Sequence, residues 1–233
     1  MEKIIFHKET KTFHLYNEEI SYIMCVLENG HMGQLYYGKR IHDKPDFSYL
    51  VEKCGRPMTS YIFEGDRSFS LEHIRQEYPV YGTTDYRHPA IEIMQENGSN
   101  ISEFKYVGYE ILKGKPSLKG LPATYTESEE EAETLKIILK DNLTGAKLTL
   151  LYTIFSKGSA IARSAHICNE GEKVLHLQTM MSLNLDLPDK DYVWMQLSGA
   201  WSRERYVKNR ILEQGITAID SMRGNSSHEH NPF

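Results

Sequence analysis

An alternation of apolar and polar residues with a period of two, between Leu135 and Ile154, constrains the fold more than any other feature of the sequence. Apolar side chains occupy every second position on both sides of a turn-rich segment at 141–145. Since successive side chains of a β-strand point to opposite faces, this region predicts a β-hairpin with one buried face.

Further segments of the same kind surround this hairpin. Strands are predicted at 12–16, 20–27, 32–37, 90–95, 103–112 and 160–168. A longer alternation at 175–187 predicts an extended strand of a large antiparallel sheet. The dipeptide Asn97-Gly98, the commonest hairpin signal, indicates a turn before the strand at 103–112. The acidic segment 127–133 could form a helical turn, but a solvated loop is the favoured interpretation. No long amphipathic helix is evident, so the predicted fold class is an all-β sandwich with many strands.

Charge and hydropathy exclude two classes of partner. The formal net charge is -5 without a long basic run, which argues against nucleic acid because phosphate binding requires clustered Lys and Arg. No segment approaches about 18 uninterrupted apolar residues, so no membrane span is expected. The N-terminal residues become polar too soon for a signal peptide.

The cysteines indicate a reducing compartment. Cys25, Cys54 and Cys168 are odd in number, widely spaced and without a CxxC pair, which makes a disulfide framework or a zinc site a poor interpretation. Reduced thiols in a cytoplasmic protein are the expected state.

Two irregular segments, 42–68 and 220–233, interrupt the strand pattern. Loops of this length in a compact domain are usually functional or disordered. The chain also contains 15 Tyr, 8 Phe and 2 Trp, residues that suit β-sheets and sugar-binding surfaces alike, so composition leaves both uses open.

A series of short motifs runs along the whole chain. They are LYYGKR at 35–40, FSL at 69–71, QEYP at 76–79, YG at 81–82, DYRHPA at 85–90, GLPATY at 120–125, RS at 163–164, MS at 181–182, GAWSRER at 199–205 and RGNSSHEHNPF at 223–233. In this order they resemble the bacterial α-galactosidases of glycoside hydrolase family 36.

The resemblance implies that residues 1–233 are an N-terminal, galactose-mutarotase-like β-supersandwich domain. In this family the sandwich continues through further strands into a (β/α)8 catalytic barrel and a small C-terminal β domain. We therefore expect the last strands of the sandwich to lie outside this chain. An uncovered sheet edge would favour association.

The resemblance also implies a reaction without a cofactor or metal. The family hydrolyses terminal α-galactosides such as melibiose and raffinose with retention of configuration. Two aspartates of the barrel act as nucleophile and acid/base, with carboxyl groups about 5–5.5 Å apart. No position of this chain corresponds to either aspartate, so we expect no catalytic residue here and no activity of the chain alone.

Family members of this type are commonly tetramers, in which a loop of the N-terminal domain reaches a neighbouring subunit's active site. The corresponding stretch here is 46–67. The candidate residues for shaping the subsite of the leaving sugar are Asp46, Arg56, Tyr61 and Arg67. The remaining partner implied by the resemblance is the chain's own catalytic barrel.

Other polar clusters favour structural or interface roles over sugar binding. The cluster around the second tryptophan comprises Trp201, Arg203, Glu204 and Arg205, in which we expect an Arg–Glu network. Asp85 and Arg87 flank a turn at Gly82 and are expected to pair across it. 

Two further clusters resemble sites only superficially. Asp186, Asp189 and Asp191 surround Pro188 as in an ordinary turn. His228-Glu229-His230 has a weak metal-ligand spacing, and we favour a packing role for it.

Three functions remain open at this stage. The first is a fragment of an α-galactosidase that serves as scaffold and oligomerisation domain. The second is a free-standing carbohydrate-binding or structural β-domain. The third is a mutarotase-like epimerase with His166 or His176 as base, although no paired carboxylate accompanies either histidine.

Overall fold

The computed structural model describes residues 3–58, 60–120, 123–188, 190–200 and 202–219. Within these ranges the chain contains strands and two single-turn 3₁₀ helices, Ser48–Leu50 and Glu129–Glu131. The strands are β1 Ile4–His7, β2 Thr12–Tyr16, β3 Ile20–Val26, β4 Met32–Lys39, β5 Ile91–Met94, β6 Phe104–Lys113, β7 Ala132–Asp141, β8 Ala146–Phe155, β9 Ile161–Asn169, β10 His176–Met180, β11 Val193–Ala200 and β12 Arg203–Ile211. The predicted all-β class is confirmed. The chain divides into two compact units, residues 1–186 and 187–233.

The first sheet of unit 1 is an antiparallel meander in the order β1-β2-β3-β4. The turn between β2 and β3 depends on Asn17, whose side-chain oxygen accepts the backbone N–H groups of Glu19 and Ile20. The Asn17 amide also donates to the carbonyls of Phe155 and Gly158. One side chain therefore closes the turn and ties it to the second sheet.

The second sheet of unit 1 has the order β6-β7-β8-β9, again antiparallel. Its central hairpin, β7–β8, confirms the alternation at 135–154. Asp141 caps the turn by accepting the N–H groups of Leu143 and Thr144, and Gly145 adopts the positive φ of 77° that closes it.

The two faces of the first sheet are buried differently. One face forms a single apolar cluster with the second sheet, in which Phe13 and Leu15 join Leu135, Ile137 and Leu148. The opposite face is covered by the irregular segment 41–74, here called the loop layer. This second cluster comprises Ile23, Cys25, Leu27, Leu35, Phe47, Phe69, Leu71 and Ile74.

The prediction of one extended strand at 175–187 is wrong. Only β10 forms, and it pairs with β5 across a register irregularity. Leu177 and Leu183, on the supposedly buried side, are 49% and 51% exposed. The polar side chains of this segment are used instead, because Asn184 donates to the carbonyl of Gln76 and Asp186 accepts its N–H.

The prediction of a hairpin at Asn97-Gly98 is correct for the turn and wrong for the strand pairing. The turn forms, with Gly98 at φ 81°, and a strand follows it. The flanking strands do not pair with each other, however, because β5 pairs with β10 and β6 pairs with β7. The acidic segment 127–133 includes one 3₁₀ turn and the first residues of β7.

Unit 2 contains the antiparallel hairpin β11–β12, which the sequence patterns did not predict. Cross-strand pairing places Val193 opposite Ile211 and Leu197 opposite Val207. Adjacent apolar residues at 193–195 obscure the alternation, which explains why this strand pair was missed. Among the described residues, no helix is both long and apolar enough to span a membrane.

Candidate functional site

The loop layer is ordered by buried aromatic anchors. Phe47 and Phe69 are 0% and 1% exposed, so both ends of the irregular stretch are inserted into the apolar cluster beneath it. A tight turn at 63–66 is closed by the Asp66 N–H donating to the Phe63 carbonyl, with Gly65 at φ 84°. The Cys54 N–H donates to the Ser68 carbonyl and brings the two arms of the loop together.

The outer side of the loop layer presents aromatic and apolar groups to solvent. Tyr49 is 63% exposed, Tyr61 is 46% exposed and Met58 is fully exposed. The Lys44 ammonium lies 5.6 Å from the centroid of the Tyr49 ring. An anchored loop with exposed rings and cations is suited to recognition, since rigid aromatic groups provide contact area at low entropic cost.

All four candidate sugar-binding residues lie on this exposed side, but no described contact joins any two of them. The Asp46 carboxylate accepts the Ser48 N–H at 2.7 Å, and this bond lowers the pKa of Asp46. A hydrogen bond with Cys54 raises the pKa of Arg56. Tyr61 and Arg67 make no described side-chain hydrogen bond or ion pair, which leaves their polar groups available.

A Ser–His–Asp arrangement, in which Ser21 and His14 are buried and Asp43 is partly exposed, ties the start of the loop layer to the first sheet. His14 Nδ1 lies 2.7 Å from Asp43 Oδ1, and its Nε2 lies 2.9 Å from Ser21 Oγ. His7 Nε2 reaches the same Asp43 oxygen at 2.9 Å. The order of groups is that of a hydrolytic triad, but Ser21 is 0% exposed, so no substrate can reach its hydroxyl.

Burial lowers the pKa of His14 below its ordinary value, although Asp43 opposes this shift through its hydrogen bond and charge. Partial burial by itself raises the pKa of Asp43, but the hydrogen bonds from His14 and His7 outweigh it and leave that pKa lowered. Both directions favour a neutral His14 beside an ionised Asp43. Sequence reasoning missed this group because its members lie on separate strands and a loop.

A second buried polar cluster joins the two sheets around Glu77, which is 0% exposed. Its carboxylate accepts the hydroxyls of Tyr22 and Tyr152 at 2.8 Å and the guanidinium of Arg163 at 3.1 Å. Burial raises the pKa of Glu77, while Arg163 and the tyrosines oppose that shift. Because the carboxylate is enclosed and fully paired, this cluster is structural.

Asp85 and Arg87 form the predicted pair, with Arg87 Nε and Nη2 each 3.0 Å from a carboxylate oxygen. Arg87 also donates to backbone carbonyls of the loop layer and lies 3.5 Å from Asp186. The pair lies on one side of the turn at 82–85, which the backbone N–H groups of Gly82 and Asp85 close by donating to each other's carbonyls. Its central residues, Thr83 and Thr84, have φ values of 49° and 76°. β-Branched residues rarely adopt this conformation, so the turn is strained.

The cluster predicted around Trp201 falls only partly within the described structure, since Trp201 lies outside it. Arg203, Glu204 and Arg205 begin β12, where two residues oppose one in a β-bulge and Arg205 adopts a φ of 61°. The Glu204 carboxylate accepts the Ser202 N–H at 2.9 Å. An interface role for these side chains stays a prediction.

No group of three or more His, Cys, Asp or Glu residues suited to a metal ion occurs in the described ranges. His228-Glu229-His230 and Asp189 lie outside them. His166 in β9 and His176 in β10 are exposed and belong to different sheets. Neither has a described hydrogen bond to a carboxylate, as an epimerase base would be expected to have.

These observations define a class of protein: an all-β sandwich domain whose buried polar clusters join its layers, and whose exposed loop surface is available for binding. Comparison with known proteins then gives the family. Residues 30–233 match the Glycosyl hydrolase family 36 N-terminal domain, and the chain belongs to this family.

The relatives are α-galactosidases. The chain is 43% identical over 230 residues to α-galactosidase AgaA of Geobacillus stearothermophilus and 36% identical over 231 residues to Mel36A of Lactobacillus acidophilus. Each alignment covers 99% of this chain and 31% of the relative.

Comparison with solved structures leads to the same family. The α-galactosidase of Lactobacillus brevis matches with a TM-score of 0.93 at 38% identity, over 98% of this chain and 31% of that one. AgaB of Geobacillus stearothermophilus matches with a TM-score of 0.90 at 42% identity, over 99% of this chain and 31% of that one. A variant of AgaA was solved in complex with raffinose. It matches with a TM-score of 0.89 at 43% identity, over 95% of this chain and 31% of that one. The chain therefore spans about a third of the length of these relatives.

Proposed function

We propose that residues 1–233 are the N-terminal, non-catalytic domain of an α-galactosidase that hydrolyses terminal α-galactosides such as melibiose and raffinose with retention. The match to α-galactosidases over 99% of this chain but 31% of their length supports the assignment. The catalytic aspartates would belong to a barrel outside this chain, and this domain would serve as its scaffold.

We further propose that the loop layer shapes the subsite for the leaving sugar in a neighbouring subunit. The observation that carries this proposal is its construction, with Phe47 and Phe69 buried beneath and Tyr61 and Arg67 exposed above. A tyrosine ring packs on the C–H face of a pyranose, and a guanidinium donates hydrogen bonds to sugar hydroxyls in a fixed planar geometry. Asp46 and Arg56 would supply the flanking charges.

An oligomerisation role is proposed for the hairpin of unit 2. Val193, Met195, Val207 and Ile211 are each between 57% and 67% exposed. An isolated two-stranded hairpin is marginally stable in water, so exposed apolar groups on it favour a covering partner. We propose that a second subunit of a tetramer, or the barrel, supplies this cover, with Arg203 and Arg205 at the rim.

The subsite proposal is tested in the full-length enzyme with Arg67→Ala and Tyr61→Ala. We expect Arg67→Ala to raise KM for raffinose at least about tenfold, since a hydrogen bond to a charged group contributes about 1.5–3 kcal/mol. Tyr61→Ala should also raise it, through loss of the ring contact with the sugar. The kinetics for an aryl α-galactoside, which lacks the leaving sugar, should stay unchanged. Lys157→Ala, another exposed cation, is the control. Unchanged selectivity for raffinose over the aryl substrate would remove the proposal.

The alternative function is a free-standing carbohydrate-binding module. The reading frame of the gene distinguishes this hypothesis from that of an enzyme domain. An open reading frame that continues past Phe233 into a barrel supports the enzyme. A frame that ends there, together with saturable binding of galactose or raffinose by the pure chain, would favour the module. 

We also propose a reducing, cytoplasmic location, which the three free thiols Cys25, Cys54 and Cys168 support.

A further inference from the structure

Two histidines of the first sheet hold one carboxylate at the beginning of the loop layer. Asp43 Oδ1 lies 2.7 Å from His14 Nδ1 and 2.9 Å from His7 Nε2. His14 is 0% exposed, and Asp43 lies shortly before Asp46, the first of the candidate residues of the loop. We call His7, His14 and Asp43 the histidine clasp.

Contacts around the histidine clasp extend its hold along the chain. The Phe47 ring lies 5.5 Å from the His14 ring and 6.4 Å from the His7 ring, measured between centroids. Thr10 donates a hydrogen bond to the Pro45 carbonyl at 3.1 Å. The first part of the loop layer is therefore fixed to β1 and β2 through polar and aromatic contacts together.

The hydrogen bonds of His14 and Ser21 are shortest in one protonation state of His14. Neutral His14 donates from Nδ1 to Asp43 and accepts the Ser21 hydroxyl at Nε2, while Ser21 Oγ accepts the Ile41 N–H at 3.1 Å. If Nε2 is protonated, the Ser21 hydroxyl must turn to the Ile41 carbonyl, which lies 3.5 Å away. That distance exceeds a good O–H···O hydrogen bond, so protonation of His14 weakens the attachment of Ile41, the first residue of the loop layer, even though it adds charge to the bond between His14 and Asp43.

We propose that His14 and Asp43 are positioning residues that hold the loop layer in the conformation required by the leaving-sugar subsite. The inference rests on the subsite role proposed above. It adds that selectivity depends on residues that do not touch sugar: Asp43 fixes the point from which the loop departs, and His14 fixes Asp43.

The charged and titratable groups that face His14 determine how the clasp responds to pH. Asp43 favours its protonation, whereas His7, Arg40 and burial oppose it. The rings of Tyr16 and Phe47 lie 4.9 Å and 5.5 Å from the His14 ring, measured between centroids. Protonation of His14 at Nε2 replaces the hydrogen bond that the Ser21 hydroxyl donates to it in the neutral state.

The clasp is tested first on the 233-residue chain by amide hydrogen exchange, corrected for intrinsic rates. The reporters are amides whose hydrogen bonds exist only when the loop layer is folded, namely Leu50, Val51, Cys54 and Asp66. In Asp43→Ala we expect their protection at pH 7 to fall about tenfold, with unchanged protection in β8. Glu9→Ala, an exposed carboxylate in the turn before β2, is the matched control.

The same reporters give a pH signature that a purely structural contact would not. In the wild type, protection of the loop amides should decrease between pH 7 and pH 5. In His14→Asn, which retains a donor toward Asp43 but cannot be protonated, protection should depend less on pH over this range, with His7 as the remaining histidine beside Asp43. Unchanged protection in Asp43→Ala, or an equal pH dependence in His14→Asn, would overturn the clasp.

The second test uses the full-length enzyme. Asp43→Ala should raise KM for raffinose about three- to tenfold without changing kcat or the hydrolysis of an aryl α-galactoside. If the loop amides lose protection but only Arg67→Ala alters KM for raffinose, the positioning role is overturned while the subsite stands. If neither variant alters KM, the proposed subsite fails and the positioning role with it.

Discussion

The two faces of the first sheet are buried by different means. The face toward the second sheet packs regular strands against regular strands, in one continuous apolar cluster. The face toward the loop layer is covered by an irregular segment, held by Phe47 and Phe69 and by polar contacts such as the histidine clasp. Regular packing gives a stable scaffold, whereas a layer held by a few anchors can be shaped for recognition.

This difference has an energetic consequence. Removal of a group from the sandwich core affects every element that contributes to that cluster, so the loss should appear in global unfolding. Removal of an anchor of the loop layer should appear as local opening, since segments with few buried contacts open below the global free energy.

The largest effect is expected at the charge cluster that joins the two sheets. Arg163→Met leaves the fully buried Glu77 carboxylate without its cation and should lower the free energy of unfolding by about 3–5 kcal/mol. Arg67→Met, at an exposed arginine of the loop layer, should change it by less than about 0.5 kcal/mol. Urea denaturation of the two variants measures both values. Equal stabilities would show that Glu77 is not a structural charge.

The next effect separates the two faces directly. Leu148→Ala in the sandwich core should lower the global free energy of unfolding by about 2–5 kcal/mol. Phe69→Ala should lower it less, and its main effect should be faster exchange of the Leu50 and Cys54 amides. Denaturation and hydrogen exchange on the same samples measure the two responses. A global loss for Phe69→Ala as large as that for Leu148→Ala would abolish the distinction.

A smaller effect on the free energy of unfolding is expected from a change in pH. Because burial lowers the pKa of His14 in the folded state, the unfolded chain binds a proton at a higher pH than the folded chain does. Stability should therefore fall as pH decreases below 6.5, by at most about 1.4 kcal/mol per pH unit for this one group. The stability curve of His14→Asn should lack this contribution. An identical slope in both proteins would contradict the assignment.

The smallest expected effect is an increase in the free energy of unfolding. Thr83 occupies a left-handed position in the turn at 82–85 with its hydroxyl buried and without a partner among the described residues. Thr83→Gly should stabilise the chain by about 1 kcal/mol by relieving both penalties. Thr84→Gly is the matched control, because it relieves the same strain but loses the hydrogen bond that Thr84 accepts from the Leu71 N–H. A calorimetric scan should show the larger gain for Thr83→Gly.

Sequence reasoning succeeded where the buried residues follow the two-residue period of a strand. It failed where hydrogen bonds of polar side chains determine the conformation of a segment. The hairpin β7–β8 was predictable because one parity is apolar and buried. The strand at 175–187 was not, because Asn184 and Asp186 bind the Gln76 backbone, and of the predicted apolar parity Leu175 and Leu185 pack against the core while Leu177 and Leu183 are exposed. The histidine clasp was invisible because its three residues meet only after β1, β2 and the loop have assembled.

The candidate residues for sugar binding came from resemblance to a family and not from periodicity. The structure places Asp46, Arg56 and Arg67 at the exposed side of the loop layer and leaves Tyr61 about half exposed, which is compatible with the proposed role. No local pattern could have indicated the proposed role, since a site between subunits has no periodicity in the sequence of one segment.

The central claim is that this chain is a non-catalytic domain whose reaction resides elsewhere in the enzyme. Incubation of the pure 233-residue chain with an aryl α-galactoside, beside a full-length enzyme of the family as positive control, tests it most directly. We expect no release of the aryl group above the buffer blank. Measurable hydrolysis that scales with the concentration of the pure chain would contradict the claim.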